Sequence, residues 1–225
     1  MELSDNTMSV LKNFAGINPN ILIKQGTTIK TISEARNVLA AANVTEEFSN
    51  EFGIYDLSEF IGVLGLVDTP NLKFEDDSVV ISDSSGRSKI KYFYSSADTL
   101  TTPQKDITMP EAEVKFKLDV DTLNKIKRAA STLGHNEVSI SGNNGIITLS
   151  VIDSQNKTSN AFSIDIDGEY AEGATFNFIL NINNLKIITG DYDVEISSKL
   201  ISQFSNSDVN VKYWIALEKS STFGV

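Results

Sequence analysis

The 225-residue chain has no cysteine, a single histidine and only four prolines. Without cysteine there is no disulfide framework, no thiolate nucleophile and no thiolate-held metal, and the chain suits a reducing compartment. The histidine, His135, sits in the turn GHNE, where a lone imidazole reads as a surface residue rather than a catalyst or ligand. The apolar run IGVLGLV (Ile61–Val67) falls far short of the roughly 18 residues a membrane span needs. The opening MELSDNTMSV lacks the basic and apolar regions of a secretory leader, so a cytoplasmic protein without membrane contact is expected. No phosphate loop, GxSxG or HExxH motif occurs, and DIDGEYAEGA (Asp165–Ala174) lacks the aspartate series of a calcium loop and reads as a strand-ending turn. Positive charge is scarce too. Nineteen Lys and Arg face 30 Asp and Glu, a formal charge of −11 that argues against nucleic acid as a sum, although binding depends on how charge is distributed.

What is present is a repeated helix pattern. In DVDTLNKIKRAASTLG (Asp119–Gly134), at about 100° per residue, Val120, Leu123, Ile126, Ala130 and Leu133 form one apolar stripe. Lys125 and Arg128 point away from it, and Lys127 at its border must snorkel outward. Asp119 can cap the start, and Gly134 suits the left-handed residue past the end. The template, a capping residue followed by apolar positions at +1, +4 and +7, occurs four times: Thr7 with Met8, Leu11 and Phe14; Asp56 with Leu57, Phe60 and Val63; Asp119 with Val120, Leu123 and Ile126; Asn181 with Ile182, Leu185 and Ile188.

Residues alternating at period 2 precede the last three copies: Phe52/Ile54, Val114/Phe116/Leu118 and Phe176/Phe178/Leu180. Strand and turn patterns follow every copy, with KQGT, EDDS, GNNG and DSQN as expected hairpin turns. The unit reads strand, short helix, antiparallel strands. Two pairs of units flank SSADTLTTPQKDITMP (Ser95–Pro110), a polar stretch read as a linker. The expected fold is α+β: two similar domains, 1–108 and 109–225, each of two strand-helix-strands units, with the helices on one face of antiparallel sheets. One continuous α+β domain with four unrelated helices is the alternative the pattern leaves open.

Packed by their stripes, the four helices share an outer surface. Its cations are Lys12, Lys125, Arg128 and Lys186, with Lys127 at the margin, and its chief acid is Glu59. Each of these lysines could equally be an ordinary solvated residue on an exposed face. The second helix offers Ser58, Glu59 and Gly62 and no positive charge.

Four stretches, LSDNTMSVLKNFAGIN, IYDLSEFIGVLGLV, ATFNFILNINNLKIITGDY and YWIALEKSST, resemble the sliding clamps of T4-like bacteriophages, the processivity factors of the phage DNA polymerases. The resemblance runs over essentially the whole chain. It implies a DNA-clamp fold and a homotrimeric ring around duplex DNA, held without sequence specificity, that tethers the replicative polymerase after assembly by a separate clamp-loader ATPase. It also implies no cofactor, no metal and no catalysis, in the cytoplasm of an infected bacterial host. On this resemblance Lys12, Lys125, Lys127, Arg128 and Lys186 are the expected DNA-facing set. The family captures short apolar peptides of its partners in a pocket between the domains, for which Tyr92, Phe93 and Tyr94 with Trp214, Ile215, Ala216 and Leu217 are the candidates. A β-rich virion or assembly protein that oligomerises by sheet edges without touching DNA is the rival reading. An enzyme with an unrecognised carboxylate site is a third.

Overall fold

The computed structural model describes residues 1–143, 145–156 and 158–224. The chain divides into two compact units, Met1–Asp106 with Val209–Val211, and Ile107–Asp208 with the residues from Lys212 on.

In the first unit, α1 (Asp5–Ala15) leads to β1 (Ile21–Ile23), β2 (Gly26–Ile32), β3 (Val38–Phe48) and β4 (Phe52–Ile54). Next come α2 (Leu57–Leu64) and the strands β5 (Asn71–Phe74), β6 (Ser78–Ser82) and β7 (Lys89–Phe93). Helix α1 buries Val10, Leu11 and Phe14 and packs on α2 and β3. Its cap is Ser4, whose hydroxyl accepts the Thr7 amide at 3.2 Å. The expected cap, Thr7, lies instead inside the first turn, fully buried. The cause is remote. Period 2 along β3 puts Glu46 on the core side with Val44 and Phe48, and its carboxylate takes hydrogen bonds from the Thr7 hydroxyl and the Ser4 amide. Burial pushes the Glu46 carboxyl up, but those hydrogen bonds outweigh it and hold the group below its ordinary value.

Helix α2 follows the expectation more closely: β4 feeds it, and the Asp56 side chain accepts the Glu59 amide at 2.9 Å. Its buried residues are Leu57, Phe60 and Leu64, with Val63 only half-buried. The turn KQGT departs from expectation. It joins strands of different sheets, because β1 pairs with β4 and β2 with β3. EDDS does close a hairpin, between β5 and β6. The first part of the expected linker is strapped to this unit. Asn18 donates to the carbonyls of Ile32 (2.7 Å) and Thr101 (3.1 Å), Asn20 accepts the Thr101 amide at 2.9 Å, and Ser95 bonds the Gly53 carbonyl. A side chain at Gly53 would place Cβ 2.5 Å from the Ser95 carbonyl oxygen, so only glycine lets the two backbones approach.

The second unit starts with β8 (Val114–Leu118) and α3 (Val120–Leu133), followed by β9 (Glu137–Asn143), β10 (Ile146–Ile152), β11 (Phe162–Ile166), β12 (Gly168–Tyr170) and β13 (Thr175–Asn181). After a 3-10 turn at Ile182–Asn184 come β14 (Tyr192–Ser197), β15 (Ile201–Asn206), β16 (Val211–Ala216) and β17 (Thr222–Gly224). One sheet runs β11-β10-β9-β13-β17; another contains β12-β8-β14-β15-β16. The GNNG turn joins β9 to β10, but its Asn144 lies outside the described residues; DSQN joins the antiparallel pair β10 and β11. DIDGEYAEGA, read as a strand-ending turn, contains the end of β11, all of β12 and the turn after it. Helix α3 packs on β10 and β11, capped by Asp119 and ended by Gly134 at φ 70°.

The fourth expected helix does not form. Asn181 does cap, accepting the Asn183 amide at 3.0 Å, but only the 3-10 turn follows. Leu185 and Ile187 are then the buried positions, an extended alternation in place of Leu185 and Ile188. Tertiary contacts claim the backbone that a helix would need: the Ile188 amide donates to the Tyr213 hydroxyl at 3.2 Å, and the Tyr192 hydroxyl donates to the Ile188 carbonyl. Burial pushes both phenols up, so they keep their protons. The β-branched run Ile187-Ile188-Thr189 adds little helical preference of its own.

Candidate nucleic-acid interface

Helix α3 is amphipathic in fact as well as in pattern. Thr122, Leu123, Ile126 and Ala130 are buried, while Lys125, Arg128, Ser131 and Thr132 lie exposed along neighbouring turns. Lys127 is half-buried at the border, and its desolvation pushes the ammonium below its ordinary value. At the start, Asp119 is held below the usual carboxylate range, first by the Thr122 amide at 2.6 Å and to a lesser degree by the charge of Lys125. Acid at the N-terminus with cations further along also suits the helix dipole.

The first unit presents less charge. Lys12, in the last turn of α1, is exposed on the same side as Ser9 and Asp5, and α2 shows Ser58, Glu59 and Gly62. Lys186 is exposed but stands on the extended segment after the 3-10 turn, so it is not a helix residue. Lys125, Lys127 and Arg128 are thus brought together on one element. Lys12 and Lys186 are held on others.

The ion pairs fall on strand lysines and on none of those carried by the helices. Among the described residues, Lys30 pairs with Asp106, Lys73 and Lys91 with Glu75, Lys91 also with Asp77, and Lys115 with Glu195, all on strands or the segments joining them. None of these pairs engages Lys12, Lys125, Lys127 or Arg128. Four strand lysines are neutralised in this way, although Lys89, Lys117 and Lys212, also on strands, are outside these pairs; of the helix cations, Lys12, Lys125 and Arg128 are exposed and Lys127 is half-buried. Such an array, with no cluster of Asn or Gln poised at base edges, suits phosphate contact without sequence readout.

The aromatic candidates divide by strand alternation. Tyr92 packs on Phe60 with ring centroids 5.1 Å apart, and Tyr94 on Phe52 at 5.2 Å. Burial pushes the Tyr94 phenol up to about 12. Phe93 is 62% exposed, with the Lys91 ammonium 5.0 Å from its ring centre. On and just after β16, Ile215 and Leu217 are core residues, Trp214 is half-buried and Ala216 is exposed. His135 lies in the loop after α3 with Nε2 at 2.7 Å from the Asn160 carbonyl. Among the described residues no group of three or more His, Asp or Glu could hold a metal, and no helix is long and apolar enough to cross a membrane.

Sequence reasoning did not find the sheet edges. Among the described residues, strand β7 has a neighbour only in β6, and β11 only in β10. Lys89, Lys91 and Phe93 are exposed on β7, and Ser163 and Asp165 on β11. Charge on an edge strand was the one available signal, and it is too common to identify an edge.

Comparison with known proteins agrees with this geometry. The family described as "DNA polymerase processivity factor" matches residues 4–102, and "gp45 sliding clamp, C terminal" matches residues 115–219. The sliding clamp of Vibrio phage KVP40 is 33% identical over 97% of this chain and 99% of its own length. Those of Escherichia phage RB69 and Enterobacteria phage T4 are 31% and 32% identical, each over 99% of both chains. The fold is also that of the PCNA2-PCNA3 complex from Sulfolobus tokodaii (TM-score 0.69, 14% identity, 97% of this chain and 98% of that one). Proliferating cellular nuclear antigen from Entamoeba histolytica is similar (TM-score 0.68, 13% identity, 94% of each chain).

Proposed function

The chain belongs to the sliding-clamp family of T4-like phages, and from that premise we propose that three copies close into a ring with α1, α2 and α3 turned toward the DNA. As a sliding clamp it oligomerises, encircles duplex DNA and tethers the replicative polymerase for processive synthesis. It is not an enzyme. Membership of this family replaces the rival reading of a virion assembly protein.

The observation that supports the reading best is the gathering of Lys125, Lys127 and Arg128 on one amphipathic helix, with none of them in the ion pairs among the described residues. Lys12, Lys125, Lys127 and Arg128 are the DNA-facing set on this proposal, with Lys186 contributing from its extended segment. Few cations are wanted. A protein making about six to ten phosphate contacts binds tightly and with steep salt dependence, whereas a clamp must hold by topology and slip along the duplex. Net negative charge elsewhere discourages DNA from adhering outside the ring.

Head-to-tail closure needs two different surfaces on each copy. Strands β7, bearing Lys89, and β11, bearing Asp165, offer sheet edges and opposite charge. For partner peptides the candidates are the exposed Phe93 and Ala216, the half-buried Tyr92, Tyr94 and Trp214, and the core residues Ile215 and Leu217. Loading by a separate ATPase, in the cytoplasm of the infected host, completes the proposal.

The test is polymerase synthesis on loader-treated circular DNA with the Lys125→Glu, Arg128→Glu chain. Processive synthesis should fall while the sedimentation mass, expected to be that of a trimer, stays unchanged. Undiminished synthesis would remove these two residues from the DNA-facing set, and a monomer at every concentration would remove the ring.

A further inference from the structure

The first unit holds a second concentration of positive charge, away from its helices. Lys24 and Gln25 between β1 and β2, Lys30 on β2, and Gln104, Lys105 and Asp106 in the segment after β7 enclose a concavity of about 350 Å3. Three lysines and one aspartate line it, in a chain whose net charge is −11. The carboxylate, Asp106, lies 2.5 Å from Lys30 Nζ. It is held below its ordinary value, first by that hydrogen bond, then by the charge of Lys30 and to a smaller extent by that of Lys24. Lys24 and Lys105 are exposed, and among the described residues no carboxylate lies within ion-pair distance of either. Like charges gathered in a hollow repel one another unless an anion enters. Asp106 already shows that the hollow stabilises a carboxylate.

We propose that this hollow binds the acidic side chains of a segment of a partner protein, with Asp106 as the internal carboxylate that occupies part of it. The size fits. About 350 Å3 lies at the small end of the range for binding pockets, enough for a few side chains and too little for the convex backbone of a duplex. Leu22 and Pro103 form an apolar part of the wall, so the segment it suits carries an apolar residue beside its acids. The amide of Gln25 adds donors that a carboxylate can use, while that of Gln104 donates to the Thr102 carbonyl and hydroxyl. The proposal does not depend on ring closure.

Fluorescence anisotropy on the full chain at low salt tests it, using a labelled peptide Asp-Asp-Leu-Glu-Asp, its Asn/Gln counterpart and a labelled DNA duplex. The acidic peptide should bind, with the amide counterpart and the Lys24→Glu, Lys105→Glu chain each weaker by about tenfold or more. Asp106→Asn should tighten binding several-fold, because Lys30 is released; a merely structural role for Asp106 predicts no tightening. Equal binding of the amide peptide, an unaffected double variant, weaker binding by Asp106→Asn, or no binding of the acidic peptide would overturn the proposal. So would a duplex whose binding depends on Lys24 and Lys105 in the peptide's place, which would assign the hollow to phosphate.

Discussion

The two units follow one plan and reach different ends. The first keeps two helices, α1 and α2, with Lys12 the one cation exposed on them; the second keeps a single longer helix, α3, and places Lys125, Lys127 and Arg128 on it. In the first, the cap region of α1 is tied by Glu46 to a strand far along the chain. In the second, two tyrosines take the backbone groups of Ile188 and the last helix is lost. The comparison teaches that capping and an apolar stripe are necessary for a helix here and not sufficient. Surrounding residues decide whether backbone groups pair locally or with a side chain from another strand.

The largest effect comes from breaking the helix packing of the first unit. Phe14→Ala should cost about 3–5 kcal/mol, and hydrogen exchange should rise in α1 and β3 while α3 keeps its protection. Equal loss of protection in α3 would mean that the units unfold as one. Removing the tyrosine that replaces a helix in the second unit comes next. Tyr213→Phe should destabilise by about 1–3 kcal/mol, since the Ile188 amide loses its acceptor; urea titration measures this, and circular dichroism should show no gain of helix.

The charge contrast gives a functional effect of intermediate size. Each cation removed should lower the steepness of the salt dependence of DNA association by about one. Lys125→Glu with Arg128→Glu should therefore impair clamp-dependent synthesis more than Lys12→Glu alone. The opposite order would place the first unit's helix closer to the DNA.

The smallest effect sharpens the contrast at the caps. Glu46 has a folded pKa below its ordinary value of 4.5, so the stability it contributes is present above that value and is lost as pH falls through the folded pKa. Thr7→Val removes the hydrogen bond that most lowers it and should cost about 1 kcal/mol at neutral pH. The acid limb of the unfolding profile, followed by α1 exchange, should become shallower. An unchanged acid limb would show that Thr7 does not hold the carboxylate charged.

Much of the candidate site was legible because its determinants are local. The stripe of α3, its Asp119 cap and Gly134 terminus, and the outward direction of Lys125 and Arg128 all follow from spacings of three or four residues. The strands β4, β8 and β13 before the helix templates were equally plain from period 2. The fourth template carried the same local signals and failed, because Tyr213 lies 25 residues beyond the backbone it binds. Ser4 displaced Thr7 as the cap for a similar reason, through a carboxylate 42 residues away. The segment after β7 looked like a simple linker until Asn18, Asn20 and Lys30 were seen to hold it.

The sequence by itself determined the helix stripes, the outward cations, the caps of α2 and α3, and the family, since these rest on residue type and short spacing. Tertiary structure alone decided where α1 begins, that the last helix would not form, which strands stand at the sheet edges, and that Lys24, Lys30 and Lys105 share one hollow. Hydrogen bonds and charges act over a few ångströms in space, and nothing in chain order records which distant residues will come that close.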